Sequence, residues 1–76
     1  MLEEARAAES RRDFISKCSI ALKEAREALV RLRICLETAI GPPEEAAALA
    51  KEADELVGIL TAIVRNTRRN AGIPNS

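Results

Sequence analysis

The run Gly41-Pro42-Pro43 is the strongest break in this 76-residue chain, and it separates two long segments with helical periodicity. Proline does not continue a helix through its interior, so one helix ends before this run and another begins at it. The pattern predicts helices over about residues 10–40 and 43–70, with residues 1–9 helical or a short lead-in and 73–76 frayed. So short a connection between long helices predicts an antiparallel hairpin, and therefore an all-α protein with a single domain.

Residues at the predicted helix ends match the preferences for helix capping. Ser10 followed by Asp13 forms a near-capping box, which predicts the start of the first helix. Gly41 can take the left-handed conformation that closes a helix, and the glutamates at 44–45 suit the first turn of the next one. The run 71–74, Ala-Gly-Ile-Pro, is typical of a helix stop.

The first helix carries a coiled-coil seam, in which apolar residues recur at alternating steps of four and three. Its members are Cys18, Leu22, Ala25, Leu29, Leu32, Leu36 and Ala39. Ile15 continues the alternation upstream beside Phe14, and Ile34 and Cys35 widen the apolar face. The seam predicts which face of the first helix packs against another helix.

The second helix carries two overlapping seams. One consists of Leu49, Ala53, Leu56, Leu60, Ile63 and Thr67, and the other consists of Ala46, Ala50, Ala53, Val57, Leu60 and Val64. Together they form an apolar face that is wider than one partner helix covers. Gly58 lies at the edge of this face and costs about 1 kcal/mol relative to Ala in a helix interior, so we expect a neighbouring backbone to pack closely there.

Apolar faces of this width predict self-association, because a hairpin that leaves them in water exposes a large apolar patch. The expected assembly is a four-helix bundle that a second copy of the hairpin completes. A homodimer is favoured, and a pentamer is the alternative. The core of a chain of 76 residues rarely supplies more than ~3–5 kcal/mol, which adds to the need for a partner.

The composition argues against catalysis. The chain has no His, which removes the usual acid–base group and metal ligand, and its serines have no neighbouring base to activate them. Lys23 with Glu27 and Lys51 with Glu55 are ordinary i,i+4 pairs, so the helical carboxylates predict a solvated face rather than a di-metal site. We expect a protein that is not an enzyme and that has no cofactor.

The two cysteines are expected to be small apolar residues of the seam. Cys18 and Cys35 lie 17 residues apart, which is about 25 Å along one helix, so they cannot bridge within it. A bridge between two chains of an antiparallel dimer stays open, although it is unusual in a reducing compartment. No run approaches the ~18 apolar residues of a membrane helix and no secretion signal is visible, so the expected compartment is the cytosol.

The charges are unevenly distributed although they cancel, with 12 Lys and Arg against 12 Asp and Glu. In an antiparallel hairpin, residues 1–20 and 60–76 meet at one end with a charge of about +3, and residues 30–56 form a loop end of about −3. Compensation of the helix dipoles and contact with phosphate are both open interpretations. The candidate phosphate contacts are Arg11, Arg12, Lys17, Arg65, Arg68 and Arg69. Without interleaved aromatic residues, binding of nucleic acid would be weak and directed to the backbone.

The run Glu4–Glu27, together with Pro42-Pro43 and the later run 53–56, resembles a known family. This family comprises the bacterial four-helix-bundle proteins encoded in intervening sequences of large-subunit ribosomal RNA genes, and it is similar in fold to the accessory variability protein of diversity-generating retroelements. The resemblance covers the back half of a family member. The resemblance implies a helical protein that assembles, often into pentameric rings. The similarity to the retroelement protein implies a role beside a reverse transcriptase and its RNA.

Overall fold

Two antiparallel helices make up the fold. The computed structural model describes residues 2–73, and all regular secondary structure in that range is α-helical. Helix α1 spans Leu2–Glu37 and helix α2 spans Pro43–Asn70, with the loop at residues 38–42 between them. The hairpin is a rod with principal dimensions of 57 × 17 × 17 Å. The prediction of an all-α hairpin is confirmed.

The first helix begins at Leu2, so residues 2–9 are helical, which is one of the two predicted alternatives for this stretch, and the helix ends at Glu37 rather than near residue 40. Ser10 therefore lies inside α1, and the near-capping box that it forms with Asp13 does not mark a helix start. The physical reason is that residues 3–9 contain only Glu, Ala and Arg, which are strong helix formers. Two of these glutamates lie in the first turn, where they complement the helix dipole.

The loop closes α1 with a Schellman-type turn that is centred on Ala39. The backbone amide of Ile40 donates to the carbonyl of Cys35 at 3.0 Å, and Ala39 between them has a left-handed φ of 56°. The prediction that Gly41 closes this helix is therefore wrong, although Gly41 also has a positive φ, of 76°, within the loop. Ala39 is exposed in the loop, so the predicted seam of α1 ends at Leu36.

The second helix starts and stops where its proline and glycine residues allow. Pro42 precedes it with extended backbone angles, and Pro43 occupies the first turn, where a missing N–H costs nothing. At the other end Gly72 has a φ of 72°, and the amide of Ile73 donates to the carbonyl of Arg68 at 2.7 Å. Ile73 is thus tied to the helix end, and the predicted fraying of residues 74–76 lies outside the described residues.

The core is thin and lies along the line where the two helices meet. Its buried residues are Ile15, Leu22, Ala25, Leu29 and Ala46. Of the other predicted seam residues in α1, Cys18 and Leu32 are half-buried, whereas Phe14 and Leu36 are exposed. No side chain among residues 2–73 has less than 2 % of its surface exposed, so no part of this core is sealed from water.

The hairpin uses one of the two seams of α2. Every member of the seam that starts at Ala46 is buried or half-buried, namely Ala46, Ala50, Ala53, Val57, Leu60 and Val64. In the other seam Leu49 and Leu56 are exposed, and Ile63 is half-buried. The unused seam points sideways from the hairpin, and Leu60 belongs to both.

Candidate interaction surface

A two-helix hairpin has two lateral sides, one on each side of the plane that contains both helix axes. One side carries a shallow depression of about 550 Å³ near the end that lies away from the loop. Its lining residues are Arg12, Ile15, Ser16, Ser19, Ile20 and Lys23 from α1, with Arg68 and Ile73 from the end of α2. Because Ser19 and Arg68 line the same depression, they lie on the same side, which we call the polar side.

The flank of α1 that faces away from the polar side is apolar. Successive residues of an α-helix are rotated by about 100°, so Phe14 lies about 140° from Ser19, with the buried Leu22 at an angle between them.

Residues spaced by seven follow nearly one line along a helix, and on this flank the line consists of Phe14, Ala21, Ala28 and Cys35. Together with Cys18, Ala25 and Leu32 they form a second seam with steps of four and three, which our sequence analysis missed.

The corresponding flank of α2 is also apolar. Ile63 lies five residues before Arg68, so it too is about 140° away from the polar side, with Val64 between the two. Leu49, Leu56 and Ile63 are spaced by seven and follow this flank. They are the residues of the seam that the hairpin leaves unused.

Both apolar flanks therefore share one side of the hairpin, which we call the apolar side. It comprises Phe14, Cys18, Ala21, Ala28, Leu32 and Cys35 from α1 and Leu49, Leu56 and Ile63 from α2. Phe14, Leu49 and Leu56 keep 49 %, 51 % and 47 % of their surface in contact with solvent. All nine residues are uncharged, so the side is a continuous apolar strip that runs along most of the rod.

The total surface of the chain shows how much area the fold leaves exposed. Its accessible surface is 5908 Å². A compact monomer of the same 8.3 kDa mass exposes only about 4,600 Å². The excess of about 1,300 Å² is larger than the ~800 Å² that each partner buries in a standard protein–protein interface.

The predicted phosphate-contacting residues separate into groups. Arg12 and Arg68 come together at the depression on the polar side, where Lys23, which our sequence analysis did not include, joins them. The Nε atom of Arg68 and the Oγ atom of Ser19 are buried there and have no hydrogen-bond partner among residues 2–73. Arg69 instead donates from Nη2 to Oδ1 of Asn66 at 2.7 Å.

Lys17 lies away from the depression, because it follows Arg12 by five positions and is therefore about 140° from it around α1. Its Nζ atom lies 2.8 Å from Oδ2 of Asp13, one helical turn earlier. The hydrogen bond and the charge of Asp13 raise the pKa of the Lys17 ammonium above its ordinary value. Both side chains are well exposed, so the pair is an ordinary surface i,i+4 contact. The structure gives no reason to group Lys17 with Arg12 and Arg68.

The two cysteines are free thiols, and both lie on the apolar side, half-buried. No three acidic or thiol side chains among residues 2–73 come together in a way that holds a metal ion. Across the same residues, neither helix is long and apolar enough to cross a membrane. Because both free thiols lie on the apolar side, the cysteines contribute to its apolar surface.

Comparisons of the chain with protein-family models, with curated proteins and with solved structures found no match. The resemblance to the intervening-sequence proteins stays a prediction that rests on the quoted residues.

Proposed function

We propose that this protein is a non-enzymatic assembly module whose apolar side binds a second copy of the same chain and completes a four-helix bundle. The observation that carries this proposal is the exposure of Phe14, Leu49 and Leu56, about half of each side chain, on one continuous strip. A monomeric soluble protein rarely exposes a strip of this kind, because apolar surface in water is unfavourable by about 25 cal/mol per Å².

The thin core supports the same conclusion. Only five residues are buried in the described part of the chain, and two of them are alanines. A core of this size supplies little more than the conformational entropy cost of ordering the chain. A second copy would cover the apolar side and would add Phe14, Leu49, Leu56 and Ile63 to a shared core. Folding and assembly are then coupled.

The chemistry of the side chains supports a role without catalysis. The chain has no His, and its cysteines contribute to the apolar side rather than to a cleft that holds a base. The raised pKa of Lys17 arises from an exposed ion pair with Asp13, and not from a group of titratable side chains that converge on a pocket. Two unpaired thiols also suit the reducing cytosol, which we propose as the compartment.

The experiment that tests this proposal compares two substitutions at equally exposed apolar positions. Leu56 on the apolar side is 47 % exposed, and Ile34 on the outer face of α1 is 51 % exposed. We expect the wild-type protein to have the mass of a dimer by light scattering at micromolar concentration. Leu56→Asp should weaken the dimer by at least about 100-fold, because it buries an unpaired charge in the interface.

The matched control is Ile34→Asp, which should leave the dimer intact because Ile34 lies on the face of α1 opposite to the core. Circular dichroism on the same samples separates dissociation from loss of helix. A wild-type protein that is fully helical and monomeric at micromolar concentration contradicts the proposal. A pentameric mass would retain the assembly function and replace the dimer.

A second candidate function is weak binding of nucleic acid through its phosphate backbone. The specific observation in its favour is the depression on the polar side, where Arg12, Lys23 and Arg68 converge beside the unpartnered hydroxyl of Ser19. Arginine and lysine donors with a hydroxyl are a suitable set for a phosphate oxygen. The net charge of zero and the single aromatic residue argue that any such binding is weak and independent of sequence.

Titration of RNA and DNA at rising salt tests this candidate. A real phosphate site shows a log–log salt slope of roughly −0.7 to −0.9 per contact, and the double variant Arg12→Ala/Arg68→Ala should make it shallower. The control is Arg65→Ala/Arg69→Ala, which removes the same charge from the same end outside the depression. Equal effects of the two variants would indicate a general basic end, and no binding at ~50 mM salt would exclude this function.

A further inference from the structure

The geometry points to one arrangement of the two hairpins. We propose that they pair face to face about a two-fold axis perpendicular to the helices, with their loops at opposite ends, so that α1 packs on α1 of the second copy and α2 on α2. This inference rests on the proposed assembly function and specifies its interface. The alternative, with both loops at the same end, would place α1 on α2 of the second copy.

The two apolar flanks are centred at the same height on the rod. Because α1 ends at Glu37 and α2 begins at Pro43, residue k of α1 is level with about residue 80 − k of α2. Arg12 and Arg68, which line the same depression, agree with this relation. The flank from Phe14 to Cys35 is centred between residues 24 and 25, and the flank from Leu49 to Ile63 is centred on Leu56. The two midpoints are therefore level.

A common midpoint makes each flank its own partner under a two-fold rotation. About an axis at this height, Phe14 lies opposite Cys35 of the second copy, and Ala21 lies opposite Ala28. On the other helix, Leu49 lies opposite Ile63 of the second copy, and Leu56 meets itself. The large Phe14 side chain thus faces a small residue, and small alanines face each other where the two α1 helices come closest. An interface between identical subunits requires this kind of self-complementarity.

The distribution of charge along the rod favours the same arrangement. The open end, residues 2–20 with 60–73, carries about +3, and the loop end, residues 30–56, carries about −3. Packed helices are 8–10 Å apart, which is close to the Debye length at physiological salt, so the ends of neighbouring hairpins interact. With loops at opposite ends, each basic end lies beside an acidic end. With loops at the same end, like charges would meet at both ends.

The native cysteines report this arrangement directly. In the proposed dimer Cys18 is only about 6 Å along the axis from Cys35 of the second copy, whereas the two copies of Cys18 are about 20 Å apart and those of Cys35 about 32 Å apart. We expect a short bismaleimide to crosslink the wild-type dimer efficiently. Cys18→Ser and Cys35→Ser should each abolish the crosslink while the dimer mass is retained, because the reaction joins unlike cysteines.

A second readout uses the residue on the axis. In a Cys18→Ser/Cys35→Ser background, the variant Leu56→Cys should crosslink the two chains through position 56. The reason is that the two-fold axis places this position opposite the same position of the second copy. The control is Ile20→Cys in the same background, since Ile20 is exposed on the outer face of α1 and should give no crosslink.

The outcomes separate this inference from the function on which it rests. If the dimer still crosslinks in each single serine variant, each cysteine lies close to the same cysteine of the second copy. That result indicates loops at the same end and overturns the arrangement. A wild-type dimer without any crosslink also overturns it. Both results leave the assembly function in place, whereas a helical monomer by light scattering rejects the two together.

Discussion

The apolar side and the polar side of this hairpin are built from the same two helices and share one core, yet they offer opposite chemistry to a partner. On α1, Ser19 follows Phe14 by five positions, and on α2 Arg68 follows Ile63 by five positions. In each pair the first residue is apolar and the second is polar, on either side of the buried line. The comparison shows that a rotation of about 140° around each helix separates an exposed apolar surface from a basic one.

The two sides also differ in how much they depend on a partner. On the polar side, the exposed cationic groups of Arg12 and Lys23 are stable in water, so they need no cover. On the apolar side, Leu49 and Leu56 keep about half of their surface in water, which is unfavourable for apolar groups. Substitutions that affect one side, both sides or neither should therefore separate by the size of their effect.

The largest expected effect is that of Leu60→Asp, which breaks both the core and the apolar side. Leu60 is half-buried and belongs to both seams of α2, so an unpaired carboxylate there costs more than the ~3–5 kcal/mol that a small core supplies. We expect a monomeric chain with little helix by circular dichroism. Retention of a folded dimer would show that the two seams are independent of each other.

A smaller effect, of opposite sign, is expected for Gly58→Ala. The sequence predicts close packing at Gly58, but among residues 2–73 no atom outside the adjacent backbone of α2 lies within 4 Å of a Cβ atom placed there. By its angle on α2, Gly58 is on the flank of the polar side. The substitution should stabilise the protein by about 1 kcal/mol, measured by urea unfolding, and should leave the dimer mass unchanged. Loss of the dimer would place a partner against Gly58 and contradict the arrangement proposed above.

Ala39→Gly should stabilise the hairpin by about 0.5–1 kcal/mol without favouring either side. Ala39 has a left-handed φ of 56°, which costs an L residue about 1–2 kcal/mol, and part of this gain is lost because glycine is more flexible in the unfolded chain. Chemical denaturation gives the change in stability. Gly41→Ala is the contrasting control. Gly41 has a φ of 76°, so an alanine there should destabilise the hairpin for the same reason.

The smallest expected effect is that of Asp13→Asn, which removes an ion pair that belongs to neither side. The raised pKa of Lys17 means that, from neutral pH upward, this pair contributes fully below the ordinary lysine pKa of 10.5 and is lost as the pH rises through the higher folded value. Because both side chains are exposed, we expect the melting temperature at neutral pH to be unchanged. A clear drop at neutral pH would show that this turn of α1 is buried in the assembly.

Much of the fold could be predicted from the amino-acid order. The Gly-Pro-Pro break at 41–43 and the seam through Leu22 and Leu29 lead directly to two helices and to the buried line of α1. The helix start was wrong because Ser10 and Asp13 are also compatible with a helix interior when strong helix formers precede them. Arg12 and Arg68 were both identified as candidates, but their proximity depends on the alignment of the two helices, and Lys23 was missed for the same reason.

Helix formation and helix breaks are local properties, so periodicity, prolines and helix-forming residues were sufficient to derive an antiparallel hairpin with more apolar surface than it can bury. Local information does not select between the two seams of α2, because Leu60 and Ala53 belong to both. Packing against α1 makes that selection by burying Ala46 and Val57 and leaving Leu49 and Leu56 exposed. The position of the apolar side is a consequence of this packing. The rotation of each helix about its own axis, fixed by contact with the other helix, determines which flank stays exposed.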